Sequence, residues 1–328
     1  MKKNKIAFLI AEILLCVMAI FFITKIFDQN TPEKKVAVII PNSGDKNWEA
    51  LIKGLKDSAK ANEIHLIICN TDDIEEVEDE IELINEQKQN NIDGFIICPA
   101  PGSDTRTQLK NVCGKIPFML ITEDVFVSGN GGESGYPVIK PNHYNIGYEI
   151  GKRLIADSGE KENKKAGIVF AQYAKEETID KYKGFCDAIE GTNIDIGWTY
   201  NGKMEQDICD IVNGKDKVDY LVIMDNYSLD DLGEKSDNGI YNGAQIYGIG
   251  NSMKSLNLLQ HGNVKCLIIP DGYEIGYNSV KEISKKINNS FYTMKGYDVE
   301  SKELYQNEGR KYFNGTIFVP EDLETLVL

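Results

Sequence analysis

The chain has 328 residues, of which 42 % are hydrophobic and 27 % charged, a composition typical of a folded protein with room for two domains of ordinary size. Its 36 basic and 51 acidic residues give a formal net charge of −15, and the basic residues form no concentrated patch. Because such a surface repels phosphate groups, no nucleic-acid partner is expected.

The N-terminus starts with basic residues and continues into an apolar run. Met1–Lys5 contains three lysines, and only Glu12 interrupts the run Ile6–Thr24. Nineteen helical residues span about 28 Å, close to the hydrocarbon thickness of a bilayer. The basic flank keeps the N-terminus in the cytoplasm under the positive-inside rule. We therefore expect a single-pass transmembrane signal anchor over residues 1–25, a linker over residues 26–35, and an extracytoplasmic soluble part.

Two other fates of this segment stay open. Cleavage would remove it, although no small-x-small site closes the apolar run. Cys16 could instead carry a lipid, although the bulky Leu15 precedes it. All three alternatives place the body of the protein outside the cytoplasmic membrane.

From residue 36 onward, strand-like and helix-like segments alternate. The candidate strands are short, rich in Ile and Val, and mostly continuous in hydrophobicity, which is typical of strands buried on both faces. They are Val36–Ile40, Ile64–Cys69, Gly94–Cys98, Pro117–Ile121, Ala166–Phe170, Ile194–Trp198, Tyr220–Met224, Gln245–Ile249 and Lys265–Ile269. The alternation predicts an α/β fold with parallel sheets and helices on both faces.

The sequence also contains an internal repeat. Lys35–Ile68 aligns without a gap on Lys165–Trp198. A second, shorter similarity pairs Ile92–Ile97 with Val218–Ile223. The repeat predicts two βαβ halves of one design, although short βα units can also resemble each other by chance.

The acidic run Asp72–Glu86 is expected to be a solvated helix face and not a site. Ile74, Val77, Ile81 and Ile84 recur at helical spacing, which leaves the carboxylates on the opposite face.

Catalytic and metal-binding patterns are missing from the sequence. It has no GxSxG elbow, Walker loop, CxxC or HxxH, and His65, His143 and His261 are scattered. We expect no enzyme activity, no cofactor and no metal, and we expect the cysteines beyond the apolar run to be mostly buried thiols.

The segment Pro41–Gly54, after the first strand, is unusually polar. It carries Asn42, Asp45, Asn47 and Trp48 before a helical pattern begins. Two interpretations stay open. These residues could form a turn with a helix cap, or they could form one wall of a ligand cleft.

Eight motifs in order resemble those of type I periplasmic binding proteins, the superfamily that includes ribose-binding protein and the lac repressor. They are NSGDKNWEALIKG, QNNIDGFIICPA, KIPFMLITED, KPNHYNIGYEIGKRL, DKYKGF, VDYLVIMDN, YGIGNS and PDGYEIGYNSV. The resemblance implies two Rossmann-like lobes with parallel sheets, joined by a hinge of three crossings. It places lobe 1 at residues 36–141 plus 271–295 and lobe 2 at residues 142–270 plus 314–322, and we expect a helical addition at Tyr297–Phe313.

In that family, polar side chains at the carboxyl ends of both sheets pair the hydroxyls of a sugar, and aromatic rings cover its C–H faces. By position, Asn47 and Trp48 replace an aromatic pair, Asn142 an aspartate and Lys181 an arginine, whereas Asp225 is retained. The ligand-binding residues implied in this way, with the polar residues of the first loop, are Asn42, Asp45, Asn47, Trp48, Asp124, Asn142, Lys181, Asp225, Asn251 and Asp271.

Some residues that bind the sugar in that family are replaced in this sequence. Gly250 replaces an aspartate beside Asn251, and Pro270 replaces a glutamine before Asp271. These departures leave the fold intact and the identity of the ligand open.

The expected protein is thus a membrane-anchored receptor that closes two lobes on a small polar ligand, a carbohydrate in the first instance. It would deliver the ligand to an ABC permease or report it to a membrane sensor kinase. Two other classes are disfavoured. A hydrolase would need a nucleophile–base pair, and a repressor would need a DNA-binding headpiece where the apolar run lies.

Overall fold

The structure is a computed structural model, and it describes residues 12–22, 33–74, 76–102, 104–125, 134–159, 162–170, 176–202, 207–250 and 252–305. The chain divides into two compact units, Met1–Lys34 and Lys35–Leu328.

The first unit contains helix α1, at residues 12–22. Its large apolar side chains are exposed to solvent: Ile13, Leu14, Leu15, Val17, Met18, Ile20, Phe21 and Phe22. Across the described ranges, no helix combines the length and the apolar character needed to cross a bilayer. Much of the anchor expected at residues 1–25 lies outside the described residues.

Strands and helices alternate through the rest of the described chain, as the sequence predicts. The strands are β1 (Lys34–Ile39), β2 (Ile64–Ile68), β3 (Gly94–Ile97), β4 (Phe118–Ile121), β5 (Val138–Pro141), β6 (Lys164–Phe170), β7 (Ile194–Asn201), β8 (Tyr220–Ile223), β9 (Ile240–Tyr241), β10 (Ala244–Ile249), β11 (Cys266–Pro270), β12 (Tyr297–Val299) and β13 (Ser301–Tyr305). The helices are α2 (Glu49–Ala61), α3 (Val77–Gln89), α4 (Thr105–Cys113), α5 (His143–Ser158), α6 (Glu176–Ile189), α7 (Ile208–Asn213), α8 (Asn226–Glu234), α9 (Met253–His261) and α10 (Gly272–Asn288).

Two separate sheets form the framework. The sheet of lobe 1 has the order β12-β5-β4-β3-β1-β2, and its neighbours from β12 to β1 pair in parallel. The sheet of lobe 2 has the order β13-β11-β10-β8-β6-β7, which is parallel from β11 to β7. Strand β13 pairs antiparallel with β11, and β9 pairs antiparallel with β10. The predicted α/β fold with parallel sheets is confirmed.

Helices cover both faces of each sheet, which explains why the central strands are apolar throughout. In lobe 1, α2 and α10 pack on one face, and α3 and α4 on the other. In lobe 2, α5 and α6 pack on one face, and α7, α8 and α9 on the other. All four residues of β3 are buried, as are all four of β8. Strands of this kind need no polar face because neither side meets water.

The internal repeat corresponds to the two sheets. The first copy supplies β1, α2 and β2 to lobe 1, and the second supplies β6, α6 and β7 to lobe 2. The same interhelical hydrogen bond recurs in both lobes. The Tyr273 hydroxyl donates to Asp57 (3.1 Å), and the Tyr144 hydroxyl donates to Asp187 (3.0 Å).

The chain crosses between the sheets three times, from β5 to α5, from β11 to α10 and from β12 to β13. The third crossing corrects one expectation. Residues 297–305 of the predicted helical addition Tyr297–Phe313 form two short edge strands. Their alternating polar residues suit a sheet edge, where one side of the strand faces solvent. Residues 306–328, and with them the lobe 2 segment expected at residues 314–322, lie outside the described residues.

The acidic run is not wholly solvated, so that prediction was wrong at one position. Glu80 of α3 has no exposed surface, and its Oε1 accepts the Ala100 backbone N–H at 3.1 Å. The neighbouring Glu78 and Glu82 are exposed, as expected.

The cysteines follow the expectation of buried thiols. All seven lie in the described residues, and none of them forms a disulfide there. Of the six beyond α1, Cys186 is half-buried and the rest are buried.

Candidate functional site

The candidate site is the cleft between the lobes, where the carboxyl ends of the two parallel sheets face each other. Open α/β sheets bind ligands at this edge because the loops that leave the strands converge there. Among the residues that the structure describes, two sets of side-chain hydrogen bonds join the lobes across it. The β1–α2 loop meets the start of α8, and His143 at the start of α5 meets the Thr122 carbonyl after β4.

The polar loop after β1 is a capped turn as well as a cleft wall. Asp45 precedes the short 3-10 turn Lys46–Trp48, and its Oδ1 accepts the Asn47 backbone N–H at 2.9 Å. The Trp48 indole N–H donates to the Pro41 carbonyl (2.9 Å), and the ring packs against the lobe 1 core. Asn42 occupies the left-handed region at φ 45°. The turn-and-cap interpretation is therefore confirmed, and the ligand-wall interpretation stays a prediction.

Two side chains of this loop bond directly to lobe 2. The Tyr227 hydroxyl donates to Asp45 Oδ2 at 2.7 Å, and Asn226 Nδ2 donates to Asn47 Oδ1 at 3.0 Å. Burial and the bond to Asp45 raise the pKa of Tyr227 to about 12, so its hydroxyl stays protonated as a donor at neutral pH. We call these four residues the interlobe clasp.

The orientation of Asn226 is fixed from within lobe 2. Its Oδ1 accepts the Ser252 backbone N–H (3.3 Å) and lies 2.9 Å from the Ser255 hydroxyl oxygen. The Ser255 hydroxyl has one hydrogen and donates it to Asp230 Oδ1 at 2.5 Å, and the Ser252 hydroxyl donates to Asp230 Oδ2 at 3.0 Å. With its oxygen held in this way, the amide presents its N–H₂ group to lobe 1.

The predicted residues Asn142 and Asp271 lie at two of the crossings, where each caps a hinge helix. Asn142 Oδ1 accepts the Asn145 N–H (3.0 Å), and its Nδ2 donates to Glu300 at 3.2 Å. Asp271 Oδ1 caps α10, and its Oδ2 lies 2.5 Å from Lys302 Nζ. Each residue thus caps a helix with one side-chain atom and reaches the third crossing with the other.

Lys181 belongs to a buried polar cluster behind the first crossing. Its Nζ lies 3.4 Å from Glu177 Oε2, which is itself 3.9 Å from His143 Nε2. Burial, reinforced by the Lys181 charge, lowers the pKa of His143 to about 4, so the imidazole is neutral at physiological pH. Because Nε2 must then donate to the Thr122 carbonyl (3.2 Å), Nδ1 is left as an acceptor. Within the described part of the chain, no group donates to that buried atom.

Thr122 is strained at this point of contact. Its φ of 65° lies in the left-handed region, which is unusual for a β-branched residue. Its hydroxyl contacts Cys98 Sγ at 3.0 Å, so the ends of β3 and β4 are tied together beneath His143. Strain of this kind persists where the surrounding structure requires it, often at a binding site.

The remaining predicted residues are spread more widely. Asp225 Oδ1 caps α8 through the Ser228 N–H (2.8 Å), directly before the clasp residues of lobe 2. The carboxylate oxygens of Asp124 accept the backbone N–H groups of Val125 (2.7 Å) and Ser134 (3.0 Å). Asn251 lies outside the described residues.

Asp124 also lines a groove of about 580 Å³ along the β5–β12 edge of lobe 1. The groove is further lined by Tyr136, Lys140, Lys286, Tyr292 and Asp298. The structure therefore does not group Asp124 with the clasp.

Sequence reasoning missed four residues of the cleft: Thr122, His143, Asn226 and Tyr227. Asn226 and Tyr227 directly follow the predicted Asp225, so extending that motif by two residues would have found them. His143 was considered only as a metal ligand, and the conformation of Thr122 has no sequence signal.

The fold and cleft define a class, the two-lobed α/β binding proteins. The sequence profile described as "Periplasmic binding protein domain" matches residues 36–290, and the chain belongs to this family. The predicted resemblance to type I periplasmic binding proteins is confirmed.

Individual relatives agree with this assignment. Catabolite control protein A of Staphylococcus aureus (strain Mu50) is 26 % identical over 167 residues, which are 51 % of this chain and 46 % of that protein. The chain thus spans about half the length of the curated relatives it matches.

Solved structures share the fold at low identity. GanP, a glucose-galactose binding protein from Geobacillus stearothermophilus, has a TM-score of 0.71 at 14 % identity, covering 85 % of this chain and 99 % of GanP. XylFII in the XylFII-LytSN complex has a TM-score of 0.68 at 16 % identity, covering 84 % of this chain and 99 % of the other.

Proposed function

We propose that the chain is a membrane-anchored extracytoplasmic receptor that captures a small polar ligand by closure of its lobes and feeds an ABC transporter. The observation that carries this proposal is the cleft itself, where polar side chains of both lobes meet at the carboxyl ends of two parallel sheets. A ligand that contacts both lobes binds the closed arrangement better than the open one, which is the requirement for closure.

A carbohydrate suits the chemistry of this cleft. Sugar hydroxyls must be paired when they are buried. Neutral His143 offers a buried acceptor, and Lys181 and Asp225 are polar groups at the same edge of lobe 2. Trp48 could cover the C–H face of a sugar with the part of its ring that the core does not bury. The binding of glucose and galactose by GanP supports the same choice.

A thermal-shift series with D-glucose, D-galactose and D-arabinose tests the ligand class. A ligand at 100 times its Kd adds about 2.7 kcal/mol to stability, which raises Tm by several degrees in a protein of this size. We expect at least one sugar to do so, with titration calorimetry giving a Kd for it. A folded protein that none of them stabilises would contradict the sugar assignment.

Two lysines of α6 provide a matched pair of variants. Lys181→Met removes the buried ammonium next to Glu177, whereas Lys183→Met alters an exposed lysine two residues away. We expect the first to weaken sugar binding at least tenfold and the second to leave it unchanged. Equal affinities would remove Lys181 from the proposed site.

The membrane anchor is supported by the basic flank, the apolar run and the exposed apolar side chains of α1. We expect the full chain to stay in membranes after an alkaline wash, and a variant without residues 2–25 to be released. Release of the full chain by the wash would contradict an anchor.

A second role is the sensing of ligand for a membrane sensor kinase. It is favoured by one structural neighbour, XylFII, which was solved in complex with another protein, LytSN. Neighbouring permease and ATPase genes would support transport, whereas a neighbouring kinase and response regulator would support sensing. Co-purification of the full chain from detergent-solubilised membranes gives the same distinction at the protein level.

A further inference from the structure

We propose that the interlobe clasp holds the cleft closed before a ligand arrives, so that Asn226 and Tyr227 control ligand entry. This inference deepens the proposed function and rests on it where ligand binding is concerned. Its structural part, closure without ligand, concerns the chain alone.

The geometry shows direct contact in place of a ligand bridge. Donor and acceptor atoms of the two lobes are 2.7 Å and 3.0 Å apart, which are full hydrogen-bond distances. No ligand atom fits between groups at such distances. Asp45 and Asn47, which the sequence assigns to the ligand, use their terminal oxygens to bind the other lobe instead.

One partner of each bond is already oriented before the lobes meet. On lobe 1, Asp45 Oδ1 is fixed by the Asn47 N–H, which leaves Oδ2 for Tyr227. On lobe 2, the Asn226 oxygen accepts the Ser252 backbone N–H, which leaves the N–H₂ group for Asn47. Because the oriented partner loses little side-chain freedom when the lobes meet, each bond favours closure more than a pair of two flexible surface side chains would.

The two bonds also act together. Asn226 and Tyr227 are consecutive at the start of α8, and Asp45 and Asn47 are two residues apart in one turn. Opening the cleft therefore breaks both bonds at once. One of them is charge-assisted, because Asp45 accepts as a carboxylate.

A barrier to ligand entry follows from this arrangement. A ligand reaches the cleft only in the molecules that are open. The observed association rate is therefore proportional to the open fraction. Weakening the clasp should increase the rate of association, whereas ordinary damage to a binding site would not.

Tyr227→Phe is the test variant, because it removes only the hydroxyl that donates to Asp45. Tyr273→Phe and Tyr144→Phe are matched controls: each removes a Tyr–Asp hydrogen bond that lies within one lobe. Spin labels, introduced as unnatural amino acids at the exposed positions Glu63 and Glu190, report the distance between the lobes of the full chain in detergent.

Without ligand, we expect one short distance in the wild type and in both controls. Tyr227→Phe should show a second, longer distance, with about a tenfold fall in the ratio of closed to open molecules, as expected for the loss of one charge-assisted bond. A wild type that is open without ligand, or a Tyr227→Phe distribution equal to that of the controls, would overturn the proposal.

Stopped-flow binding of the sugar identified by the thermal-shift series gives the second measurement. We expect association with Tyr227→Phe to be several-fold faster than with Tyr273→Phe. An unchanged or slower rate would overturn control of entry. If no sugar binds, the sugar assignment fails, and the distance measurement still decides whether the clasp closes the lobes.

Discussion

Glu80 is a buried carboxyl group in an otherwise solvated acidic helix. One oxygen accepts the Ala100 N–H, and in the described part of the chain the other has no hydrogen-bond partner. Burial raises the pKa of Glu80 to about 7, and the hydrogen bond from the Ala100 N–H acts in the opposite direction. Burial raises the pKa of the Cys113 thiol, and the charge of Glu80 raises it further.

The raised pKa of Glu80 predicts a specific dependence of the unfolding free energy on pH. Below about pH 4.5, Glu80 is neutral in both the folded and the unfolded states, and its contribution to stability is complete. As the pH rises to about 7, the unfolded state ionises first, so the fold loses on the order of 3 kcal/mol. Glu80→Gln keeps a neutral group, so we expect it to exceed the wild type in unfolding free energy by about 2–3 kcal/mol at pH 8 and to match it within about 1 kcal/mol at pH 4.5.

Urea unfolding at the two pH values measures this difference. Glu82→Gln, an exposed position on the same helix, is the control and should change stability by less than about 0.5 kcal/mol at either pH. If Glu80→Gln and Glu82→Gln gave the same change with pH, the buried carboxyl would not be the cause.

The polar residues of the cleft show why their roles could be predicted only in part. Asp45, Asn142, Asp225 and Asp271 were each expected to bind ligand, and each is also the N-cap of a helix or turn. Short polar residues after a strand suit both roles, and a sequence does not show which side-chain atom is committed to the cap. In three of them the second polar atom of the side chain makes a hydrogen bond to the other lobe or to the third crossing. Each of these bonds joins residues that are far apart in the chain.

At the scale of elements, the two helix pairs that carry the internal repeat meet through glycine. A Cβ at Gly54 would lie 2.2 Å from the Tyr273 carbonyl oxygen, and one at Gly184 would lie 2.0 Å from the Tyr144 carbonyl oxygen. The same close approach, at equivalent positions of α2 with α10 and of α6 with α5, places the hinge helices directly against their partners.

We expect Gly54→Ala to destabilise lobe 1 by about 2–3 kcal/mol, because the backbones must separate and the gain in helix propensity of about 1 kcal/mol is smaller. Gly184→Ala should act in the same way on lobe 2. Gly44→Ala, with open space around its Cβ, is the control and should be nearly neutral. Thermal and urea unfolding measure all three, and wild-type stability in Gly54→Ala would show that the helices move apart without cost.

Elements were predictable where local pattern decides them. The continuous apolar runs located the nine predicted strands to within a few residues, because burial on both faces leaves no polar alternation in most of them. Strand β5, which lies between β4 and β12, was not predicted. Strands β12 and β13 were mistaken for part of a helical addition, since edge strands of three and five residues depend on a partner strand elsewhere in the chain. The burial of Glu80 was missed for a related reason. Its carboxyl group contacts Ala100, which lies in the loop after β3 and not in the helix itself.

At the scale of the whole molecule, the third crossing links the other two. Glu300 accepts from Asn142 (3.2 Å) and Asn145 (2.8 Å) at the first crossing, and Lys302 pairs with Asp271 at the second. The hinge is thus a set of three strands of chain cross-connected by side chains, and bending it requires these bonds to shift together.

This network predicts how the hinge responds to the loss of one acceptor. Glu300→Ala leaves both Asn142 and Asn145 without that carboxylate, so the start of α5 should open locally more often. We expect amide hydrogen exchange at residues 142–146 and 299–303 to become about two- to tenfold faster, the effect of losing about 0.5–1.5 kcal/mol of local stability. Exchange in the buried strand β3 should not change, since no bond of Glu300 reaches it.

Hydrogen-exchange mass spectrometry of the full chain measures these segments separately. Glu274→Ala, an exposed acid at the start of α10, is the control for a change of one surface charge. Glu300→Gln retains an acceptor and should recover most of the protection, because the amide oxygen can still bind one of the two asparagines. Faster exchange in β3 would mean that Glu300 stabilises lobe 1 as a whole, and unchanged exchange at residues 142–146 would mean that the crossings are held by their backbones alone.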